Sequence, residues 1–245
     1  MVRFSGVDIS YKGRVVLGSV TLDLHPPGHH VIMGPSGGGK STLLKAILAA
    51  YTGRNEADLP QWSGELNLSG EAGLSYVPQE SGLAPWLTIR QNIVLGRRLR
   101  EGSEVRELGA LGNQVVAALR LEPWLETVPS KVSVGTARRT ALARAIVTQP
   151  DLLLLDEPFS GFDFDLREDA VALLRSEFGT PGRSIVLVTH EPYEAAAVAA
   201  AVHILPKTIG GPIRSLRRTA VESTPSFEAR IREELLSTFR EPVFQ

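Results

Sequence analysis

The segment HHVIMGPSGGGKSTLLKAILAA, residues 29–50, constrains the fold of this chain more than any other stretch. Its apolar run, Val31, Ile32 and Met33, has the look of a buried strand. A glycine-rich turn follows, and then LLKAILAA with helical spacing. The turn reads Gly34, Pro35, Ser36, Gly37, Gly38, Gly39, Lys40, Ser41, Thr42, which is G-x-x-x-x-G-K-[ST] in the strand–loop–helix setting that confirms the pattern. Phosphate groups carry several negative charges and need many donors at short range. Side chains would block that approach, so Gly37, Gly38 and Gly39 let backbone N–H groups face a phosphate directly. The helix beginning near Lys40 adds the partial positive charge of its N-terminus, Lys40 brings a full charge to the β- and γ-phosphates, and the Ser41 hydroxyl is a ligand for Mg²⁺. This is a nucleotide site.

Two further apolar runs, residues 152–155 and 185–188, resemble buried parallel strands, and GLSYV at 73–77 is a fourth candidate. Each is followed by polar or glycine-rich residues and then a helical pattern, the rhythm of a parallel α/β sheet. Ligand-binding groups gather at the carboxyl ends of such strands. The run DLLLLDEP ends there in two carboxylates. Asp156 suits Mg²⁺, which takes oxygen ligands and keeps several waters, and Glu157 is then placed to polarise the water attacking a γ-phosphate. Gln79 follows the GLSYV strand and His190 follows IVLVT, where an imidazole is able to hydrogen-bond the same phosphate. The histidines at 25, 29, 30 and 203 have no comparable context.

The first forty residues read as short strands and turns, punctuated by Gly13, Gly18 and Pro26-Pro27-Gly28. Between residues 85 and 149 helical spacing replaces strand signals: Thr88 opens IRQNIVLGRRLR, and QVVAAL and TARRTALARAIV follow, so this region is a helical insert. In the tail, Phe227, Ile231, Leu235 and Phe239 recur every four residues and define an amphipathic helix over 226–241, with its apolar stripe packed intramolecularly.

Totals narrow the function classes. The 245 residues are 43% hydrophobic and 22% charged with a formal net charge of −1, so the chain buries a sizeable core and has no global basic field for nucleic acid. The absence of cysteine excludes disulfides and thiolate metal sites. MVRFSGVDISYKGR lacks an apolar core of signal-peptide length, and no apolar run approaches the ~18 residues of a spanning helix, so work at a membrane is expected from its surface.

The phosphate loop, Gln79, DLLLLDEP and VTHE fall in the order and spacing of ABC-type ATPases, and the resemblance covers residues 2–215. It implies a P-loop NTPase fold: a mainly parallel sheet core, an N-terminal antiparallel β subdomain and a helical insert. It implies a split ATP-binding core at 1–84 and 150–216, a helical subdomain with the signature motif at 85–149, and a helical tail at 217–245. Tyr11 matches the aromatic that stacks on adenine. Gln79 matches the glutamine that joins the metal site to the helical subdomain, SGFD at 160–163 the loop that crosses to an opposing subunit, and His190 the switch histidine. The insert matches the subdomain that receives the coupling helix of a membrane subunit, with the region around Trp86 transmitting motion; Trp86 as core packing is the other reading.

Family members work as head-to-tail dimers, with each ATP between one subunit's phosphate loop and the other's signature, usually LSGGQ. Here VSVGT occupies that place: Ser133 and Gly135 remain for the partner's γ-phosphate, Val134 replaces a glycine and Thr136 the glutamine. A positive φ or a tight contact at Val134 would be costly. Ala200-Ala201 stands where relatives often have Asp-Arg and reads as an exposed pair. PWLTIRQNIVLG and Leu166-Arg167 are similar to stand-alone subunits of bacterial importers. The resemblance therefore implies an ATPase with ATP and Mg²⁺ that powers solute import through a separate integral membrane permease at the cytoplasmic face of the cell membrane. A second ABC ATPase subunit, identical or different, and an external solute-binding protein are the implied partners. An exporter subunit and an ATP-binding regulator with little turnover are the alternatives.

Overall fold

The computed structural model describes residues 2–25, 28–53, 58–68, 73–102 and 107–240, so Pro26 and Pro27, read above as punctuation, lie outside the described residues. In chain order the elements begin β1 (Val2–Tyr11), β2 (Arg14–Leu24), β3 (His29–Met33), α1 (Lys40–Thr52), β4 (Gln61–Leu68) and β5 (Leu74–Val77). Helices α2 (Ile89–Glu101), α3 (Gly109–Ala118) and α4 (Val134–Val147) follow, then β6 (Leu152–Asp156) and α5 (Phe164–Phe178). The chain continues through β7 (Ser184–Val188), α6 (Pro192–Val198), β8 (Ala201–Ile204), β9 (Arg214–Arg217) and α7 (Thr224–Arg240). Backbone contacts divide it into two compact units, Met1–Glu71 with Ser184–Gln245, and Ala72–Arg183.

In the first unit, β2, β1 and β4 form an antiparallel sheet in that order. Val2, Phe4, Val7 and Ile9 turn inward while Arg3, Ser5 and Asp8 stay exposed, the alternation of a strand with one wet face. The strands are longer than the sequence suggests, ten and eleven residues. Gly18 does not end β2, because the ladder continues past it, with Leu17 opposite Ile9 and Val20 opposite Val7 across a register shift. The second sheet segment runs β7–β3–β8, all parallel, with β9 antiparallel beside β8. Val31, Ile32 and the whole of β7 are buried, as strands covered on both faces should be.

The alanine-rich stretch AAAVAAA, residues 195–201, divides between two elements, α6 and β8. Ala200 is exposed but Ala201 is 3% exposed and paired in β8, which corrects the reading of an exposed pair. The reason is the ladder itself: His30 pairs with Ala201, and Ala200 N–H donates to His29 O at 2.8 Å. Helix α7 is docked within this unit, with Phe227 and Ile231 fully buried; Arg218 and Arg230 lie over the Phe227 ring at 6.0 and 5.5 Å.

The second unit pairs β5 with β6 in parallel and packs α2 and α3 on α4; among the described residues from 85 to 149 there is no strand. Thr88 caps α2 in a reciprocal box with Gln91 at 3.2 and 2.9 Å. Helix α4 starts two residues before the apolar pattern does, because Ser133 serves as its N-cap. Among the described residues, no helix is long and apolar enough to cross a membrane.

Sequence context gave His30 and His203 no role, yet they form a buried pair in the first unit. Their Nδ1 and Nε2 atoms are 3.0 Å apart and the rings stack at 5.3 Å. His30 Nε2 lies 3.1 Å from His25 O and must donate there, so its Nδ1 accepts from His203 Nε2–H, and His203 Nδ1 accepts from the Ser215 hydroxyl at 2.8 Å. With both rings neutral every ring nitrogen in this chain has a partner, and burial disfavours the charged form. Burial, with the nearby His30 and Arg217, lowers the His203 pKa from 6.5 to about 3. An unfolded chain therefore takes up a proton below pH 6.5 that the folded one refuses until about pH 3, so stability falls as pH drops through that window. One such proton is worth up to roughly 1.4 kcal/mol per pH unit. In urea unfolding at pH 7 and pH 5, His203→Gln should show a visibly weaker pH dependence than the wild type; equal dependence would refute the assignment.

Candidate functional site

The phosphate loop leaves β3 and enters α1 inside the first unit. Gly38 N–H donates to Pro35 O at 3.0 Å, closing a turn, and Lys40 reaches back so that Nζ donates to Gly34 O at 3.1 Å and Pro35 O at 2.9 Å. The ammonium is thereby drawn across the mouth of the loop, with only 8% of the residue exposed. Gly39, at φ 87, is the N-cap of α1 and offers no side-chain cap, so the first-turn N–H groups face the loop. A Cβ on Gly39 would stand 2.6 Å from Leu17 Cγ, so the loop is seated on β2 with no room for a larger residue. Ser41 and Thr42 are partly exposed in the first turn of α1.

The parallel pairing of β7 with β3 brings His190 to the edge where the phosphate loop leaves the sheet. Ile32 pairs with Val188, and Thr189 N–H donates to Ile32 O at 3.3 Å. The His190 side chain is 60% exposed, with Nε2 3.6 Å from Glu191 Oε1. Thr189, itself buried, bonds the buried carboxylate of Glu194 and accepts from Glu191 N–H at 3.0 Å, which fixes the turn carrying His190. Tyr11 lies at the end of β1, half-buried; burial first and Asp58 second raise its phenol pKa.

The second unit supplies the acids. Val77 pairs with Leu155, so Gln79, Asp156 and Glu157 share the carboxyl edge of the β5–β6 pair. Asp156 is 3% exposed, Gln79 exposed and Glu157 intermediate. Glu157 has φ 49, a left-handed conformation that costs a side-chain-bearing residue roughly 1 kcal/mol or more. Tight turns hold it there: Ser160 N–H to Glu157 O at 3.3 Å and Phe162 N–H to Phe159 O at 3.0 Å, over an edge-to-face Phe159–Phe162 pair. Arg138 of α4 donates to Ser160 O at 2.9 Å.

Two polar residues that sequence reasoning missed hold the segment after Gln79 in this unit. Arg144 donates to Ser81 O and Gly82 O at 3.2 and 3.0 Å, tying the segment after Gln79 to α4. Asn92 is fully buried; its Nδ2 donates to the carbonyls of Ala84, Leu87 and Thr88 at 3.1 Å each, and its Oδ1 accepts from Ala84 N–H at 2.8 Å. That loop presents Trp86, which is 77% exposed, so core packing is ruled out for it. An asparagine among the apolar positions of α2 was the available signal for Asn92.

At the signature, Ser133 Oγ accepts from Thr136 N–H at 3.1 Å and lies 2.9 Å from Thr136 Oγ1. Arg139 donates to the same Thr136 hydroxyl at 2.9 Å and to Leu119 O at 2.9 Å. Val134 is the first helical residue and is absent from the left-handed positions, so the feared backbone cost does not arise; its side chain is 71% exposed. Gly135 occupies the next position of α4.

A glycine loop closed by a lysine at an uncapped helix, with acids at the ends of parallel strands, defines a nucleotide-binding α/β protein of the P-loop class. A family profile described as ABC transporter matches residues 17–160. The chain is 36% identical over 198 residues to the aliphatic sulfonates import ATP-binding protein SsuB 3 of Nocardia farcinica, covering 81% of this chain and 74% of that protein. It is 34% identical to the taurine import ATP-binding protein TauB of Pseudomonas aeruginosa, covering 88% and 80%. Among solved structures, the dimeric ATP-binding cassette MJ0796 in a post-hydrolysis state bound to ADP and Pi superposes with a TM-score of 0.72 at 24% identity, over 89% of this chain and all of that one. An ATP-binding subunit of an ABC transporter gives 0.75 at 21%, over 96% and 94%. The chain belongs to the ABC transporter family as an ATP-binding subunit.

The seat on Leu17 makes a sharp prediction. Gly39→Ala adds a clash and a disfavoured φ at the cap of α1, so ATP affinity measured by calorimetric titration should fall at least about tenfold while the thermal transition stays cooperative. Unchanged affinity would mean that the loop does not hold the phosphates in this conformation.

Proposed function

We propose that this subunit binds and hydrolyses Mg·ATP to drive import of a solute through a separate membrane permease. The observation that carries the nucleotide half is the Lys40 ammonium drawn over the loop at the uncapped start of α1, with His190 on the same sheet edge. The import half is supported by relatives named as sulfonate and taurine import ATP-binding proteins.

Each residue has a role set by its chemistry. Lys40 and the N–H groups at residues 37–41 bind the β- and γ-phosphates, and Tyr11 stacks on the adenine. A Mg²⁺ ion fits the donor types present: the Ser41 hydroxyl and the buried Asp156 carboxylate are hard oxygen donors, and among the described residues no cluster of three acidic, histidine or cysteine side chains would favour a dedicated protein cage. Such an ion, when bound, would screen the phosphate charge. Glu157 accepts a hydrogen bond from the attacking water and orients it, while His190 stabilises the charge gathering on the γ-phosphate oxygens. Gln79, tethered through its following loop to α4 by Arg144, relays the state of the phosphates to the helical subdomain. We assign function to an ATP-binding core at 1–84 and 150–216, a helical subdomain at 85–149 and a helical tail at 217–245. The working assembly pairs two ATPase subunits, with Ser133 and Gly135 of each serving the other's γ-phosphate. The pair acts on the cytoplasmic face of the cell membrane and takes solute from an external binding protein by way of the permease.

Trp86, held out by the Asn92 clamp, is the proposed contact with the permease. A second reading has a specific observation behind it: the Ser133 hydroxyl is already engaged by Thr136, and Val134 projects an apolar side chain at the signature. Such a subunit turns ATP over slowly unless an opposing subunit brings an intact signature. Steady-state hydrolysis separates the readings. Import by an identical pair predicts a rate rising faster than linearly with protein concentration and lowered about 100-fold or more by Glu157→Gln. Binding without turnover at every concentration selects the second reading. With the permease reconstituted, Trp86→Ala should reduce transport while leaving ATP affinity intact; undiminished transport would remove Trp86 from the coupling path.

A further inference from the structure

The Ser133 hydroxyl, assigned above to an opposing subunit's γ-phosphate, has a fixed number of places: it accepts two hydrogen bonds and donates one. Which of them the protein itself fills decides what is left for a phosphate. One acceptor place goes to the backbone, since Thr136 N–H donates to Ser133 Oγ at 3.1 Å. The other contact is the Thr136 hydroxyl, whose Oγ1 lies 2.9 Å from Ser133 Oγ. Distance does not set the direction of that bond; the surroundings of Thr136 do.

Thr136 is 2% exposed. Among the described residues its hydroxyl has two hydrogen-bonding partners, Ser133 Oγ and Arg139 Nη2, the latter at 2.9 Å. A guanidinium has no acceptor, so Arg139 donates, and the Thr136 proton is left with Ser133 Oγ as its acceptor. The opposite arrangement would bury that proton unpaired, at the full cost of its desolvation. Arg139 is held in place by its other nitrogen: Nη1 donates to Leu119 O at 2.9 Å and to Arg120 O at 3.1 Å, just past the end of α3. The chain therefore runs one way, from Arg139 to Thr136 and from Thr136 to Ser133. Both acceptor places of Ser133 are filled from inside the protein. Ser133 itself is exposed, so its own proton is kept for an acceptor that comes from outside.

We propose that Thr136 and Arg139 are positioning residues of the signature, which turn the Ser133 hydroxyl outward as a donor to an oxyanion. The inference rests on the pairing of two subunits, in which that oxyanion is the γ-phosphate on the opposing phosphate loop. It gives a task to Thr136, the residue that stands in place of the usual glutamine. Contact with Thr136 uses an acceptor place of Ser133 and leaves the donor, so the altered signature is primed for a phosphate. The charge at the head of the chain adds to this, because a hydroxyl that accepts from a cation becomes a better donor in turn. A donor already turned toward the phosphate needs no reorganisation when the phosphate arrives.

Two measurements test this, and the first does not depend on pairing. Proton NMR of an isotopically labelled sample should show a Thr136 hydroxyl resonance protected from exchange, with cross-relaxation to the Ser133 β-protons, and no protected hydroxyl for Ser133. A protected Ser133 hydroxyl, or an unprotected Thr136 one, overturns the proposal. In the second, self-association driven by Mg·ATP is followed by sedimentation in the Glu157→Gln background, where turnover is slowed. Thr136→Val removes the hydroxyl at nearly the same shape, and thermal melting checks its fold. It should weaken association about tenfold or more while the single subunit's ATP affinity, measured by calorimetry, stays unchanged. Thr136→Ser should restore association. Undiminished association in Thr136→Val, or a loss that Thr136→Ser shares, overturns the proposal; should Thr136→Val fail to fold, the hydroxyl resonances decide. A parent that never associates, with the Thr136 proton protected, overturns the pairing of identical subunits instead and leaves the orientation of Ser133 standing.

Discussion

Two consecutive residues of β2 govern the nucleotide half of this molecule. Leu17 presses on Gly39 at a distance that leaves no space for another carbon, and Gly18 packs against Ile209 and Gly210, which an added carbon would push back. The Leu17 contact lies in a close-packed interior, which transmits strain in place of absorbing it. Strand β2 is fixed in turn by its full ladder with β1, from Val2 opposite Leu24 to Tyr11 opposite Arg14. The antiparallel sheet thus acts as the anvil for a loop that, on its own, is a chain of glycines with high conformational freedom. A loop pre-set in this way spends little binding energy on ordering itself around a phosphate.

The second unit solves a related problem with polar clamps. Glu157 sits in a left-handed conformation that only its surroundings make tolerable, and those surroundings are the turn at 157–162, the buried Phe159 and the Arg138 bond to Ser160. Arg144 and Asn92 do the same for the segment from Ser81 to Thr88. Arg138 and Arg144 both belong to α4, whose N-cap is Ser133. A displacement of α4 would therefore be felt at the signature, at the turn after Glu157 and at the loop after Gln79 together. This is the kind of rigid element with several attachments that couples a chemical site to motion elsewhere.

Much of the fold was legible because its signals are local. The strands β3, β6 and β7 are uninterrupted apolar runs, Thr88 announces α2, and the four-residue repeat announces α7. What was not legible is pairing at a distance. Strand β4, QWSGELNL, has no fully buried residue and exists because β1 offers it a ladder; β8 hides in an alanine run and exists because β3 does. The phosphate loop, Asp156 and Glu157 could be read as motifs, since their chemistry requires particular residues at a fixed spacing. The His30–His203 pair and the packing of Ile209 on Gly18 could not, because each joins residues far apart in the chain with no pattern in either neighbourhood.

The central claim is that the backbone of residues 37–41, held on β2, receives the phosphates of ATP. Amide resonances of an isotopically labelled sample, titrated with Mg·ATP, test it most directly. The account predicts large shifts confined at first to Gly37, Gly38, Gly39, Lys40 and Ser41, reproduced by tripolyphosphate at the same residues. Saturable binding that leaves those five amides unmoved would contradict it.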